Sequence, residues 1–164
     1  MSESVRFVLN GNEISVPIGA VNLPFHDSPT PLFAAAAEGE VAGLEALLAA
    51  GASPHVTDSD GDTPVTIAAF NGCDRAIACL VNNGASVASR NRFGATPLHA
   101  AAAGGHVEAA RVLVELGADR GAVDTQGFTP REMAAGCGHG GELLDVLDGS
   151  MAGMADRAIA LPGR

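Results

Sequence analysis

The chain has 164 residues, enough for one domain with a hydrophobic core. Apolar residues make up 47% of the chain but aromatic residues only 4%, with no Trp or Tyr, so alanine must fill much of the interior. Nineteen acidic residues against nine basic ones give a net charge of −10, which excludes nucleic-acid phosphates as favoured partners and favours a protein with a basic patch.

The cysteines and the apolar segments bear on where the protein works. The three cysteines (Cys73, Cys79 and Cys137) cannot all pair, and their spacing is not that of a disulfide framework. The start of the chain lacks a secretory signal pattern, and no apolar run is long enough to span a membrane. We therefore expect a cytoplasmic protein without membrane contact, and the absence of lysine points to a GC-rich bacterial genome.

Residues 1–26 form the first predicted unit, a β-hairpin. Asn10-Gly11 is a strong two-residue turn signal, and this turn would place Phe7 opposite Ile14 and Val5 opposite Val16. A lone hairpin is only marginally stable in water. We expect it either to cap the following domain or to dock on another chain, and the sequence leaves both open.

From residue 27 onward the chain repeats with a fixed period. Thr-Pro recurs every 33 residues, at Thr30-Pro31, Thr63-Pro64, Thr96-Pro97 and Thr129-Pro130. The pair Gly-Ala keeps the same step at residues 51–52, 84–85 and 117–118, and a single glycine keeps it at Gly39, Gly72, Gly105 and Gly138. Several markers in phase indicate an internal repeat rather than a single globular core.

One copy predicts a helix, a tight turn, a second helix and an extended loop. In the third copy, Thr96 is a good N-cap, Pro97 suits the first helical position, and Gly105 ends the helix. The second helix begins near Val107 and ends at Gly117. Neither helix is long enough to be stable alone, so the copies must stack. The predicted fold class is therefore an all-α helix-turn-helix solenoid.

The segment "GATPLHAAAAGGHVEAARVLVELGAD" (residues 94–119) resembles an ankyrin repeat. The resemblance covers residues 27–149 and implies an ankyrin-type solenoid with β-turn fingers, in copies at about 27–59, 60–92, 93–125 and 126–149. Only the third copy has the full Thr-Pro-Leu-His. The fourth has Arg131 and Glu132 in place of Leu-His, which is typical of a polar C-terminal cap. Residues 150–164 would form a C-terminal tail.

Two patterns suggest metal sites, and both have simpler explanations. Glu40, Cys73, His106 and His139 occupy one position in successive copies, but neighbouring helices about 8–10 Å apart make joint ligation of one ion difficult. In the related family this position ties the inter-helix turn to the adjacent copy. The run "DSDGD" (residues 58–62) lacks the glycine and glutamate positions of a calcium loop and fits a β-turn instead.

We also find no arrangement of residues that predicts catalysis. Cys137 and His139 are near each other in sequence, but no third orienting group is apparent. We therefore expect no catalytic residues, no metal and no cofactor.

The resemblance implies that a partner is held by the finger tips and the exposed side of the first helix of each copy. The matching candidate residues are Ser59, Asp60, Asp62, Phe70, Asn71, Arg92, Phe93, Gln126 and Phe128. Turn tips are normally polar, whereas aromatic residues and Arg are enriched at binding hot spots. We predict that the phenylalanines, Arg92 and the two aspartates line one concave patch; the alternative is that the rings pack on the adjacent turns.

The implied function is a non-enzymatic protein–protein interaction module. One role is a binder that inhibits or protects an enzyme through its acidic face. The other is an accessory subunit or assembly factor of a larger enzyme complex, docked partly through the N-terminal hairpin. The first role fits a monomer, and the second fits a subunit of a hetero-complex.

Overall fold

A computed structural model describes residues 4–9, 12–17 and 30–149. Within these ranges the chain forms a two-stranded hairpin followed by four pairs of short helices. The strands are β1 (Ser4–Leu9) and β2 (Asn12–Pro17). The helices are α1 (Pro31–Glu38), α2 (Val41–Ala49), α3 (Pro64–Phe70), α4 (Asp74–Asn82), α5 (Pro97–Gly104), α6 (Val107–Glu115), α7 (Pro130–Gly136) and α8 (Glu142–Asp148). The predicted all-α solenoid is confirmed.

Each first helix begins at the repeated Thr-Pro. The Thr63 hydroxyl accepts the backbone N–H of Thr66, and the Thr129 hydroxyl accepts that of Glu132, so each satisfies a backbone donor that the helix itself cannot. The proline that follows loses nothing, because its missing N–H has no partner in the first turn. The regular spacing of these caps is therefore what fixes the period of the fold.

The helices form two rows. The first helices of successive copies pack side by side in the order α1, α3, α5 and α7, and the second helices in the order α2, α4, α6 and α8. The core lies between and within these rows. It includes the paired alanines of the first helices, which are completely buried in the first three copies, at Ala35-Ala36, Ala68-Ala69 and Ala101-Ala102. Alanine at these positions allows neighbouring backbones to approach closely.

The turns between first and second helices are linked from copy to copy. The His139 Nε2–H donates to the carbonyl of Ala103 at 3.1 Å, and the Cys73 thiol donates to that of Ala37 at 3.5 Å. Both contacts reach back to the preceding first helix. Cys73 and His139, at the repeat position that suggested metal ligation, therefore connect adjacent copies. This supports a structural role for that position.

The fourth copy differs from the inner ones on its outer side. Ala135 is exposed where its equivalents are buried, and Arg131 is exposed where Leu98 is fully buried. The Arg131 guanidinium pairs with Asp148 of α8 at 2.5 Å. Polar and charged residues thus cover the outer side of this copy, as a terminal repeat requires.

The two strands pair antiparallel, with Phe7 opposite Ile14 and Val5 opposite Val16. This is the register that a two-residue connection gives. The connecting residues 10 and 11 lie outside the described ranges, so the predicted turn at Asn10-Gly11 stays a prediction. Strand β1 lies beside α2 of the first copy.

Gly104 lies at a close contact between the first helices α5 and α3. A Cβ atom placed there would lie 2.6 Å from the Phe70 carbonyl oxygen and 2.6 Å from a ring carbon of His106. The carbonyl belongs to the end of α3, so relief would require the backbone of one helix to move. Gly136 ends α7 in the same way, but nothing lies within 4 Å of a Cβ there.

These two glycines give a matched pair of substitutions. Gly136→Ala should raise the free energy of unfolding by about 0.5–1 kcal/mol, because alanine is the better helix former. Gly104→Ala should instead lower it by about 1–3 kcal/mol through overpacking. Chemical denaturation of both variants measures the difference. Equal stabilisation by both would show that α3 and α5 are not in close contact.

Candidate functional site

Three turns project from the connections between copies, and we call them fingers 1, 2 and 3 (residues 58–62, 91–95 and 124–128). Each begins with a side-chain oxygen that accepts two backbone N–H groups. Asp58 accepts from residues 60 and 62, Asn91 from residues 93 and 95, and Asp124 from residues 126 and 128. The backbone at the tips is therefore satisfied internally, and most tip side chains are left exposed to solvent.

The fingers are bonded to one another in series. The Arg92 N–H donates to the Asp60 carbonyl, and the Thr125 N–H donates to the Phe93 carbonyl, each at 2.9 Å. The Asn91 side-chain amide also donates to the Asp62 carboxylate at 2.8 Å. These bonds join residues that are far apart in sequence and turn three separate loops into one continuous surface.

A buried histidine fixes finger 3 to the preceding copy. His99 is fully buried, and its Nδ1 accepts the backbone N–H of Thr96 at 3.1 Å. Because Nδ1 is an acceptor, the proton is on Nε2, which donates to the Phe128 carbonyl at 2.9 Å. The backbone position of Phe128 is thus set by the core of the third copy.

Three phenylalanines lie on the surface, two of them in the fingers and one at the end of a first helix. Phe70 ends α3 and is 54% exposed, Phe93 at the tip of finger 2 is 54% exposed, and Phe128 at the end of finger 3 is 46% exposed. By contrast, Phe33 in the first copy is only 8% exposed. About half of each of the three ring surfaces is accessible to a partner, although the rings are not free of contact with the fold.

The two predicted acidic residues of finger 1 already have partners within the protein. Asp60 forms an ion pair with Arg92 at 3.2 Å, and Asp62 accepts the Asn91 hydrogen bond described above. The Arg92 guanidinium also donates to the Ser59 carbonyl. Reversing the charge of Asp60 or Asp62 would therefore disturb the fingers as well as any partner, which makes such variants poor probes of steering.

The remaining predicted residues are polar and exposed. Asn71 caps the end of α3, where its side-chain amide donates to the Ile67 carbonyl at 2.9 Å. Gln126 is exposed at the tip of finger 3. Seven of the nine predicted residues thus lie in the fingers, and Phe70 and Asn71 lie at the end of α3. That the nine act together in binding stays a prediction.

Sequence reasoning missed Arg90 and Val123. The Arg90 Nη1 donates to the carbonyls of Gly94 and Val123, and the Val123 side chain is 46% exposed next to finger 3. No local pattern reveals this contact, because its two ends are 33 residues apart. The period itself was the available signal, since Arg90 and Val123 occupy the same position in successive copies.

Cys73 and Cys79 do not have the properties of nucleophiles. Cys79 is buried and Cys73 is half-buried. Burial raises the pKa of both thiols, and the negative charges of Asp74 near Cys73 and Glu45 near Cys79 raise it further. A raised pKa lowers the fraction of reactive thiolate at neutral pH.

Other kinds of site were sought in the same part of the chain. Across residues 4–9, 12–17 and 30–149, no group of three or more His, Cys, Asp or Glu side chains could hold a metal ion. No helix in these ranges has both the length and the apolar character that a membrane crossing needs.

Comparison with known proteins bears directly on the repeat. A family model described as ankyrin repeats (three copies) matches residues 1–91, and one described as ankyrin repeats (many copies) matches residues 80–134. Together the two matches extend over all four Thr-Pro caps. No curated protein sequence matches the chain.

The Asp62 carboxyl gives a pH-dependent test of the finger contacts. Burial raises its pKa above the ordinary 3.8; the Asn91 hydrogen bond lowers it, while Asp58 and Asp60 raise it further. A raised carboxyl pKa favours the folded state at low pH, and this advantage is lost as the pH rises through the folded-state pKa. Relative to wild type, Asp62→Asn should therefore gain stability as the pH rises from about 3 to 7, by less than about 1 kcal/mol after solvent screening.

Asp124→Asn is the matched variant of opposite sign. Hydrogen bonds, chiefly from the Phe128 N–H, hold the pKa of Asp124 below 3.8. The wild type should therefore gain stability over Asp124→Asn as the pH rises through this region. Denaturant titrations at several pH values measure both differences. The same sign for both variants would contradict this description of the fingers.

Proposed function

The chain belongs to the ankyrin-repeat family, and on this premise we propose that it binds a protein partner through the exposed phenylalanines of its fingers and of α3. Ankyrin-repeat arrays are protein–protein interaction modules and are typically non-catalytic. The proposal concerns which part of this array makes the contact. It assigns the contact to Phe70, Phe93 and Phe128, with the polar tip residues around them.

The observation that carries this proposal is the exposure of the three rings. Each is about half accessible, although solvent-exposed turn residues are normally polar. Burying such rings against another protein releases apolar surface from water, and aromatic residues contribute strongly to binding when they enter a partner's pocket. Phe93 and Phe128 lie in neighbouring fingers that are hydrogen-bonded to each other, and Phe70 lies at the end of α3.

The charge of the chain supports a basic partner. The net charge of −10 would accelerate encounter with a positive surface and slow encounter with a negative one. We therefore propose a binder that inhibits or protects an enzyme with a basic site. We also propose that this binding takes place in the cytoplasm, since all three cysteines are free thiols.

A second candidate role rests on the hairpin. Val8 of β1 is 54% exposed, and it offers an apolar contact on the hairpin rather than on the fingers. In this case the protein would be an accessory subunit or assembly factor, held in a larger complex partly through the hairpin. Such a complex should survive high salt, whereas an electrostatically steered inhibitor should bind more slowly and weakly as salt rises.

Pull-down from native lysate at low and high salt, followed by mass spectrometry, separates the two roles. A basic protein that is recovered at low salt and lost at high salt supports the inhibitor or protector. A set of subunits recovered at both salt concentrations supports the accessory role. Binding rates measured against the recovered protein then show whether salt acts on association, as steering requires.

Truncation of one ring locates the contact. Phe93→Ala should weaken binding to the recovered protein by about 1–2 kcal/mol, roughly 5- to 30-fold, with little change in thermal stability. Val8→Ala is the matched control, because it removes an equally exposed apolar side chain from the hairpin. Weaker binding by the Val8 variant alone would move the contact to the hairpin. Loss of stability in Phe93→Ala would place the ring in the fold instead.

A further inference from the structure

Two arginines join finger 2 to both of its neighbours. Arg90 directly precedes finger 2, and its Nη1 donates to the Gly94 carbonyl in that finger at 2.9 Å and to the Val123 carbonyl beside finger 3 at 2.6 Å. One nitrogen thus connects the backbone of finger 2 with the residue that directly precedes finger 3. The guanidinium group is charged, so these are stronger than hydrogen bonds between neutral groups.

Arg92 reaches in the opposite direction. Its Nη2 donates to the Ser59 carbonyl in finger 1, and its Nη1 pairs with the Asp60 carboxylate at 3.2 Å. The two nitrogens of one guanidinium therefore hold two adjacent residues of the neighbouring finger. The corresponding position is Ser59 in finger 1 and Thr125 in finger 3, so among the three fingers only finger 2 carries such a side chain.

We infer that Arg90 and Arg92 are positioning residues. Their bonds fix the three fingers relative to one another and so orient Phe93 for contact with the partner. Phe93 lies directly after Arg92, and its carbonyl accepts the Thr125 N–H that joins fingers 2 and 3. Movement of either neighbouring finger would therefore be transmitted to Phe93. The inference rests on the proposed function, because the held ring matters only if it contacts a partner.

The contacts of Arg90 and Arg92, which we call the clamp, would favour binding by preorganising the fingers. A loop that is ordered before binding does not lose conformational entropy when the partner arrives, so more of the contact energy appears as affinity. The ion pair alone would contribute little, since both side chains are about half exposed. The bonds to carbonyl groups are the important part, because they fix the backbone rather than a neighbouring side chain.

Hydrogen exchange of backbone amides tests the clamp in the full-length protein without any partner. The two amides to follow are those of Arg92 and Thr125, which form the bonds between fingers. Arg90→Ala should lower the protection factor of the Thr125 amide by about tenfold, and Arg92→Ala that of the residue 92 amide by a similar factor. Arg75→Ala is the control, because it removes the same charge from an exposed position on α4.

Two exchange results would overturn the inference. If both amides keep wild-type protection, the arginines do not hold the fingers. If protection falls equally in the interior amides of α5 and α6, the arginines contribute to global stability rather than to local positioning. Arg92→Lys adds a further test, because a single ammonium cannot reproduce the two-nitrogen fork and should lose protection like the alanine variant.

Binding to the protein recovered by pull-down connects the clamp to function. Arg90→Ala should bind about three- to tenfold more weakly than wild type. Arg75→Ala removes the same charge but no contact between fingers, so it should bind like wild type if Arg90 and Arg92 act by positioning rather than by charge. Wild-type affinity of Arg90→Ala beside weakened binding by Phe93→Ala overturns the inference and leaves the proposed function intact. Wild-type affinity of Phe93→Ala overturns the proposed function, whatever the exchange data show.

Discussion

The fold depends on the close approach of neighbouring first helices. The helices have seven to nine residues each, too short to be stable in isolation, so every copy must be stabilised by the next. Fully buried alanines make that approach possible. At Gly104 the contact is so tight that a Cβ has no room beside the Phe70 carbonyl. Larger side chains would separate neighbouring first helices and deprive each of its support.

In the fingers, a small set of side chains closes the turns and joins them to one another. Backbone groups within each finger are satisfied by the Asp58, Asn91 and Asp124 oxygens, and bonds between fingers involve mainly backbone and arginine. The remaining tip residues can therefore vary without loss of the fold. Exposed phenylalanines at such positions are best explained by a role outside the fold, which is the basis of the proposed binding face.

The charged residues of the fingers have a different character from the rings. From the sequence, Asp60, Asp62 and Arg92 looked like free charges available to a partner. In the folded chain they contact one another, Ser59 and Asn91 across two copies. They shape the surface on which the rings are displayed. The negative charge that attracts a basic partner is better regarded as a property of the whole chain.

The sequence by itself determined the period, the helix starts at Thr63 and Thr129, the turns closed by Asp58 and Asn91, and the alanine core. Each depends on residues a few positions apart or on the repeat of one residue type, and both are visible in a linear string. The tertiary structure alone decided which groups meet across copies: His99 with the Phe128 carbonyl, and Arg90 with that of Val123. Those partners are 29 and 33 residues away, and the direction in which a long side chain reaches is set by packing rather than by local sequence.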